Sequence, residues 1–113
     1  MDISHDDYQV HYDEAASTVR CSGSFRLHGE EYQPVLDLLT RAADAKPATL
    51  TLDVRELQFL NSSGINTLSK FVLQVRKHNV SGVVVQGTVR YPWQEKSLKN
   101  LQRLLPALKL EIV

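Results

Sequence analysis

Two adjacent hydroxyls and a glycine stand where an apolar run passes into a helix-period pattern, in Leu57-Gln58-Phe59-Leu60-Asn61-Ser62-Ser63-Gly64-Ile65-Asn66. Such a junction lies at the carboxyl end of a strand, where open α/β sheets place their sites. Two readings of it are open. The local one is that a serine caps the helix, its oxygen accepting an orphan backbone N–H for about 1 kcal/mol, while Gly64 lets the backbone turn. The chemical one is that a serine hydroxyl here accepts a phosphoryl group, adding about −1.5 to −2 charges at pH 7. The free N–H groups and positive dipole end of a helix start suit an anion at that point. A phosphate there changes the charge of a surface rather than the fold, which suits control of a partner's docking.

Other chemistry finds less support. Ser62 lacks the Gly-x-Ser-x-Gly frame of a hydrolase elbow, since Ser63 intervenes and no glycine precedes Asn61. His78, at a helix end, has no evident acid partner with which to complete a triad. No phosphate-cradling glycine-rich loop is present, so neither nucleotide binding nor enzymatic activity is expected. His5, His11, His28 and His78 are scattered and read as surface residues. With the single Cys21, which reads as a small buried hydrophobe, they make a metal site unexpected. Asn61-Ser62-Ser63 also fits a glycosylation sequon, a chance match in a chain read as intracellular.

The elements that must position the motif follow from periodicity. Tyr8, Val10 and Tyr12 alternate with polar residues as in a half-buried strand. After a turn at Glu14–Ser17, strand chemistry resumes over Thr18–Leu27, with Gly23 as a bulge or close-packing point, so the two form a hairpin. Gly29-Glu30-Glu31 opens a helix whose apolar face is Val35, Leu38, Leu39 and Ala42, with Pro34 tolerated in its first turn. Ala45-Lys46-Pro47 ends it. Leu50–Val54 is a strand, and Leu57–Leu60 approaches the turn. Ile65, Leu68, Phe71, Val72 and Val75 hold the period of a second helix, with Arg76, Lys77 and His78 in its last turn. Val83-Val84-Val85 suits a strand buried on both faces. Pro92-Trp93 leads into a third helix striped by Leu98, Leu101, Leu104 and Leu105. Pro106 stops it, and Leu108, Leu110 and Ile112 alternate in a closing strand. The resulting order of strands and helices calls for a mixed, mostly parallel sheet with helices packed against it and an antiparallel hairpin at one edge.

Composition narrows the partners. The 113 residues amount to one domain, 1–113. Thirteen Lys and Arg balance thirteen Asp and Glu, with a pI near 6.9. That balance gives no support for a nucleic-acid binder or for docking on an anionic membrane. The acidic, polar start Met1–Asp7 is unlike a secretory signal. No apolar run approaches the ~20 residues of a membrane span, so a cytoplasmic protein is expected. Trp93 packs on the core edge or anchors a partner. Lys96, Lys99, Arg103, Arg76 and Lys77 are solvated faces or a basic rim for an acidic partner.

The pattern over Leu50–Gly64, an apolar strand with Leu-Asp-Val followed by Leu-x-Phe-Leu-Asn-Ser-Ser-Gly-Ile, resembles the STAS domain of SpoIIAA-like anti-sigma factor antagonists. The resemblance spans nearly the whole chain in element order and implies an α/β STAS fold. In that family the serine after Asp in an Asp-Ser-Ser/Thr-Gly motif is phosphorylated by an anti-sigma factor that is also a GHKL-type kinase. A PP2C-type phosphatase reverses this, and the unphosphorylated form binds the kinase and frees the sigma factor. The matching serine is Ser62, with Ser63 as second choice. The implied partner surface is Asn61, Ser62, Ser63, Gly64, Ile65, Asn66, Ser69 and Trp93, together with the helix Ile65–Asn79. No cofactor is implied, and the chain is expected as a monomer or weak dimer. One position departs from the pattern: Asn61 stands where the family has Asp, which removes a negative charge beside the acceptor hydroxyl. That departure leaves open an unphosphorylated scaffold that binds a transporter ATPase or a signalling protein. The Asn-Ser-Ser-Gly-Ile form, with Pro92-Trp93-Gln94-x-Lys96-Ser97-Leu98, is similar to a STAS-like subgroup of bacterial regulators.

Overall fold

Six strands form one sheet in the simple order β1-β2-β3-β4-β5-β6 in a computed structural model that describes residues 2–77, 80 and 82–113. The strands are β1 Asp2–Ser4, β2 Tyr8–Asp13, β3 Thr18–Phe25, β4 Leu50–Leu60, β5 Val83–Gly87 and β6 Lys109–Ile112. β1, β2 and β3 pair antiparallel, and β3 through β6 pair parallel. A 3-10 turn, Gly29–Tyr32, runs into α1, Gln33–Asp44; α2 is Ser62–Lys77 and α3 is Trp93–Leu104. His78 and Asn79, expected at the end of the second helix, lie outside the described residues.

All three parallel crossovers step the same way across the sheet, so right-handed connections put α1, α2 and α3 on one face. The core lies between that face and the helices. Tyr8, Val10 and Tyr12 point into it while Gln9 and His11 face outward. Val35, Leu38, Leu39 and Ala42 from α1 meet Leu68, Phe71, Val72 and Val75 from α2 and Leu98 and Leu101 from α3. The outer face of the sheet carries no helix. This corrects the expectation for Val83-Val84-Val85: Val83 and Val85 are buried, but Val84 points to the open face and is half-buried.

Three other differences have local causes. Asp2–Ser4 adds a strand before the hairpin, antiparallel to β2, too short for its period to be read. The helix expected from Gly29 begins as a 3-10 turn, and the α-helix proper starts at Gln33 with Pro34 in its first turn. β4 is continuous from Leu50 to Leu60, where the sequence suggested a break after Val54. Register shifts against β3, between Arg20 and Ser22 and between Gly23 and Ser24, upset its alternation without ending it. Gly23 sits at the second shift with φ +87, and a Cβ there would lie 2.3 Å from the Asp7 carbonyl oxygen, so both close packing and a left-handed backbone require glycine.

Cys21 is buried on β3. Burial, then the nearby Asp53, pushes its thiol up to about 12, so it stays a protonated packing group.

Candidate functional site

β4 ends at Leu60, and Asn61 turns the chain into α2. The cap is Asn61, not a serine. Its Oδ1 accepts from the Gly64 N–H at 2.9 Å, and its carbonyl accepts from the Ile65 N–H at 3.0 Å. These satisfy the third and fourth amides of the helix and, by helix geometry, leave those of Ser62 and Ser63 as the open donors at its tip.

Asn61 is held by more than its own helix. The Tyr32 hydroxyl donates to Asn61 Oδ1 at 2.8 Å, and Asn61 Nδ2 donates to the Leu27 carbonyl at 2.7 Å. The same Tyr32 oxygen accepts from the Leu27 N–H at 3.3 Å. Both backbone groups of Leu27 are thus bonded to one Tyr–Asn pair, which ties the loop after β3 to the start of α2. The amide orientation is fixed by its surroundings, since reversing it would set two donors and two acceptors face to face. Asn suits this position because it accepts on one side and donates on the other, and an ionised carboxylate can only accept. Burial is the main cause that pushes the Tyr32 phenol up to about 12, so it remains a donor at any physiological pH. Tyr32 is itself locked by an edge contact to Phe25 at 5.8 Å, and Phe25 by one to Tyr8 at 5.2 Å.

The two serines then differ. Ser63 is half-buried, and its Oγ accepts from the Gly29 N–H at 2.8 Å, where Gly29 takes φ +54. Ser62 is exposed, and its hydroxyl makes no hydrogen bond among the described residues. Gly64 is buried and helical. Its lack of a side chain serves proximity rather than turning, since a Cβ would lie 2.3 Å from Leu60 Cδ1 and 2.9 Å from the Tyr32 hydroxyl.

The remaining expected residues spread along α2 and beyond. Ile65 packs half-buried against the core, and Asn66 is exposed. The Ser69 hydroxyl donates back to the Ile65 carbonyl at 3.0 Å. Asn66 and Ser69 border a groove of about 480 Å³ between α2 and the 3-10 turn, with Gln33 and Lys70 on its walls. Trp93 is half-buried on the core edge, and its indole N–H donates to the Gln58 carbonyl at 2.8 Å, three residues before Asn61. Beside it Gln94, fully buried, donates to the Val54 and Leu57 carbonyls at 2.7 and 2.9 Å and accepts from the Thr88 N–H at 2.8 Å. β5 covers only Leu50–Asp53 of β4, so the first turn of α3 bonds the carbonyls that a longer β5 would have bonded.

Sequence reasoning missed Tyr32 and Gln94. An aromatic inside an otherwise polar helix start, Gly29-Glu30-Glu31-Tyr32-Gln33, and an amide directly after Trp93, were the signals available. Among the described residues no group of three or more His, Cys, Asp or Glu side chains could hold a metal ion, and no helix is long and apolar enough to cross a membrane.

The STAS domain family model matches residues 10–91. The fold is also that of SiaC of Pseudomonas aeruginosa, with a TM-score of 0.74 and 16% identity over 100% of this chain and 96% of that one. Apo-SiaC gives 0.72 and 16%, over 99% and 98%. A chain from the crystal structure of the diguanylate cyclase SiaD in complex with its activator SiaC, from the same organism, gives 0.75 and 15%, over 100% and 99%. At these identities the likeness is one of fold. No curated protein matches in sequence.

Proposed function

The chain belongs to the STAS domain family, and from that premise we propose that it is a non-enzymatic regulatory binding protein of a bacterial partner-switching system, controlled by reversible phosphorylation of Ser62. The observation that carries this is the difference between the two serines. The Ser62 hydroxyl is exposed and unengaged at the positive tip of α2, while Ser63 spends its oxygen on Gly29. A kinase can reach Ser62 without dismantling a contact. The phosphate would sit beside the open amides of the helix start.

In this proposal residues 1–113 act as one cytoplasmic domain without a cofactor. The docking surface is Asn61–Asn66, Ser69 and Trp93, and the partners are an anti-sigma factor of the GHKL kinase type and a PP2C-type phosphatase. Incubation with such a kinase and ATP, followed by intact mass measurement, tests it. One phosphoryl group is expected on the wild type and on Ser63→Ala, and none on Ser62→Ala. Equal incorporation into Ser62→Ala would exclude Ser62, and none into any of the three by a kinase proven active would remove the switch.

A second reading is favoured by Asn61, whose amide is committed to Leu27 and offers no carboxylate to the neighbouring hydroxyl. Here the chain is an unphosphorylated scaffold for a transporter ATPase or a signalling protein, a role of the kind SiaC has as activator of a diguanylate cyclase. Partner binding insensitive to Ser62→Glu supports this second reading, because in the first that charge should weaken docking.

A further inference from the structure

The formal charge of the chain is zero, but its distribution is not even. α2 and α3 carry Lys70, Arg76, Lys77, Lys96, Lys99 and Arg103 against one acid, Glu95. Of the thirteen acids and thirteen bases, that leaves twelve acids and seven bases for the rest of the molecule. All six cations are exposed, and α2 and α3 lie side by side on the same face of the sheet, tied at their ends by the Arg76 guanidinium donating to the Leu104 carbonyl at 3.2 Å. Lys99 pairs with Glu95 at 3.1 Å. Lys70, Lys77, Lys96 and Arg103 have no acidic partner among the described residues.

The exposed positions of α2, Ser62, Asn66, Lys70, Leu73, Arg76 and Lys77, make one stripe. Leu73 is 47% exposed, an apolar side chain between two lysines. We infer that this helix pair is a docking face for an acidic segment of a partner protein, with an apolar residue of that segment seated on Leu73. The inference rests on the regulatory reading above and names the chemistry of the partner. Charge complementarity selects an acidic surface. The isolated leucine selects a protein over a phosphate backbone or an anionic lipid surface, neither of which needs an apolar anchor. Acids on the adjoining 3-10 turn and α1, Glu30, Glu31 and Asp37, bound the basic area on one side and confine it to α2 and α3. A phosphate on Ser62 would add negative charge at the head of the stripe and repel the same acidic partner.

Fluorescence anisotropy with a labelled synthetic peptide of Glu and Leu in amphipathic helical order, titrated with the full chain at low salt, tests the inference. Polyglutamate, a single-stranded oligonucleotide and phosphatidylserine vesicles serve as comparators. The Glu/Leu peptide should bind about tenfold more tightly than any comparator, and the Lys70→Glu/Lys77→Glu and Lys96→Glu/Arg103→Glu pairs should each weaken it about tenfold. Leu73→Ser should remove its advantage over polyglutamate. Unchanged affinity in the charge-reversed pairs, with thermal unfolding as in wild type, overturns the proposal. So does oligonucleotide or vesicle binding as tight as that of the peptide, and so does salt-sensitive self-association abolished by the same substitutions, which would make the occupant a second copy. The Ser62→Glu arm separates the two readings. Weaker peptide binding supports both, whereas unchanged binding removes the switch at Ser62 and leaves the docking face standing.

Discussion

The Tyr32 hydroxyl donates to Asn61 Oδ1 at 2.8 Å, joining the turn before α1 to the residue that starts α2. Because Tyr32 also accepts from the Leu27 N–H and Asn61 donates to the Leu27 carbonyl, three segments close on one another at the motif.

Breaking that closure has graded costs. Tyr32→Phe leaves the Leu27 N–H without its partner and Asn61 Oδ1 with one bond instead of two, for an expected loss of about 1–2 kcal/mol. Asn61→Ala removes the helix cap as well and should cost more, about 2–3 kcal/mol. Asn61→Asp keeps the cap but opposes a carboxylate oxygen to the Leu27 carbonyl, and should fall between wild type and Asn61→Ala. Urea midpoints at neutral pH check the order. An Asn61→Asp protein as stable as wild type would show that the amide donor contributes nothing.

Gly64→Ala sets two effects against each other. Alanine favours a helix interior over glycine by about 1 kcal/mol. Its Cβ, however, would lie 2.3 Å from a buried leucine methyl and 2.9 Å from the Tyr32 hydroxyl. Overpacking of this kind costs about 1–3 kcal/mol, so net destabilisation is expected despite the better propensity. Thermal unfolding of Gly64→Ala decides the sign.

The elements around the motif were largely legible, because the apolar faces of α1, α2 and α3 repeat as helices must. The partners of the motif were not. Tyr32 meets Asn61 across 29 residues and Gln94 meets Val54 across 40, and no local spacing encodes either meeting. The same limit explains why a serine was an equally good candidate for the cap. Asn61 and Ser62 are both good capping residues, and only the position of Gly64 and Tyr32 in space picks out Asn61. The break read into β4 came from its bulges, which disturb alternation while the ladder to β3 continues.

Gln94 should tolerate no substitute of similar shape. Gln94→Glu at neutral pH would aim a carboxylate at the Val54 and Leu57 carbonyls, and Gln94→Leu would orphan both of these and the Thr88 N–H. Each should cost about 3 kcal/mol or more. Acidification should recover part of the loss in Gln94→Glu alone, since a protonated carboxyl can donate. Paired urea titrations at pH 5 and pH 7 read this difference.

Asp53 supplies the acid limb of stability. Burial alone would raise its pKa, but the hydrogen bonds and charge of Arg55, at 2.9 and 3.0 Å, and the charge of Arg20 outweigh it and hold the carboxyl below its ordinary value. With the folded pKa below the unfolded one of about 3.9, the contribution is present above pH ~4 and lost as pH falls through the folded value. The stability gap between wild type and Asp53→Asn should therefore narrow on acidification below pH ~4. A gap constant from pH 6 to pH 2.5 would contradict the ion-pair account.

The seating of Trp93 and Gln94 on β4 also bears on solubility. From Val54 onward the longest strand of the sheet has no strand neighbour on its β5 side, and a bare ladder of that length invites strands from other molecules. Two side chains at the head of a helix occupy those carbonyls instead, which leaves fibril-like growth only the outer strands, three and four residues long and set with Asp2, Lys109 and Glu111.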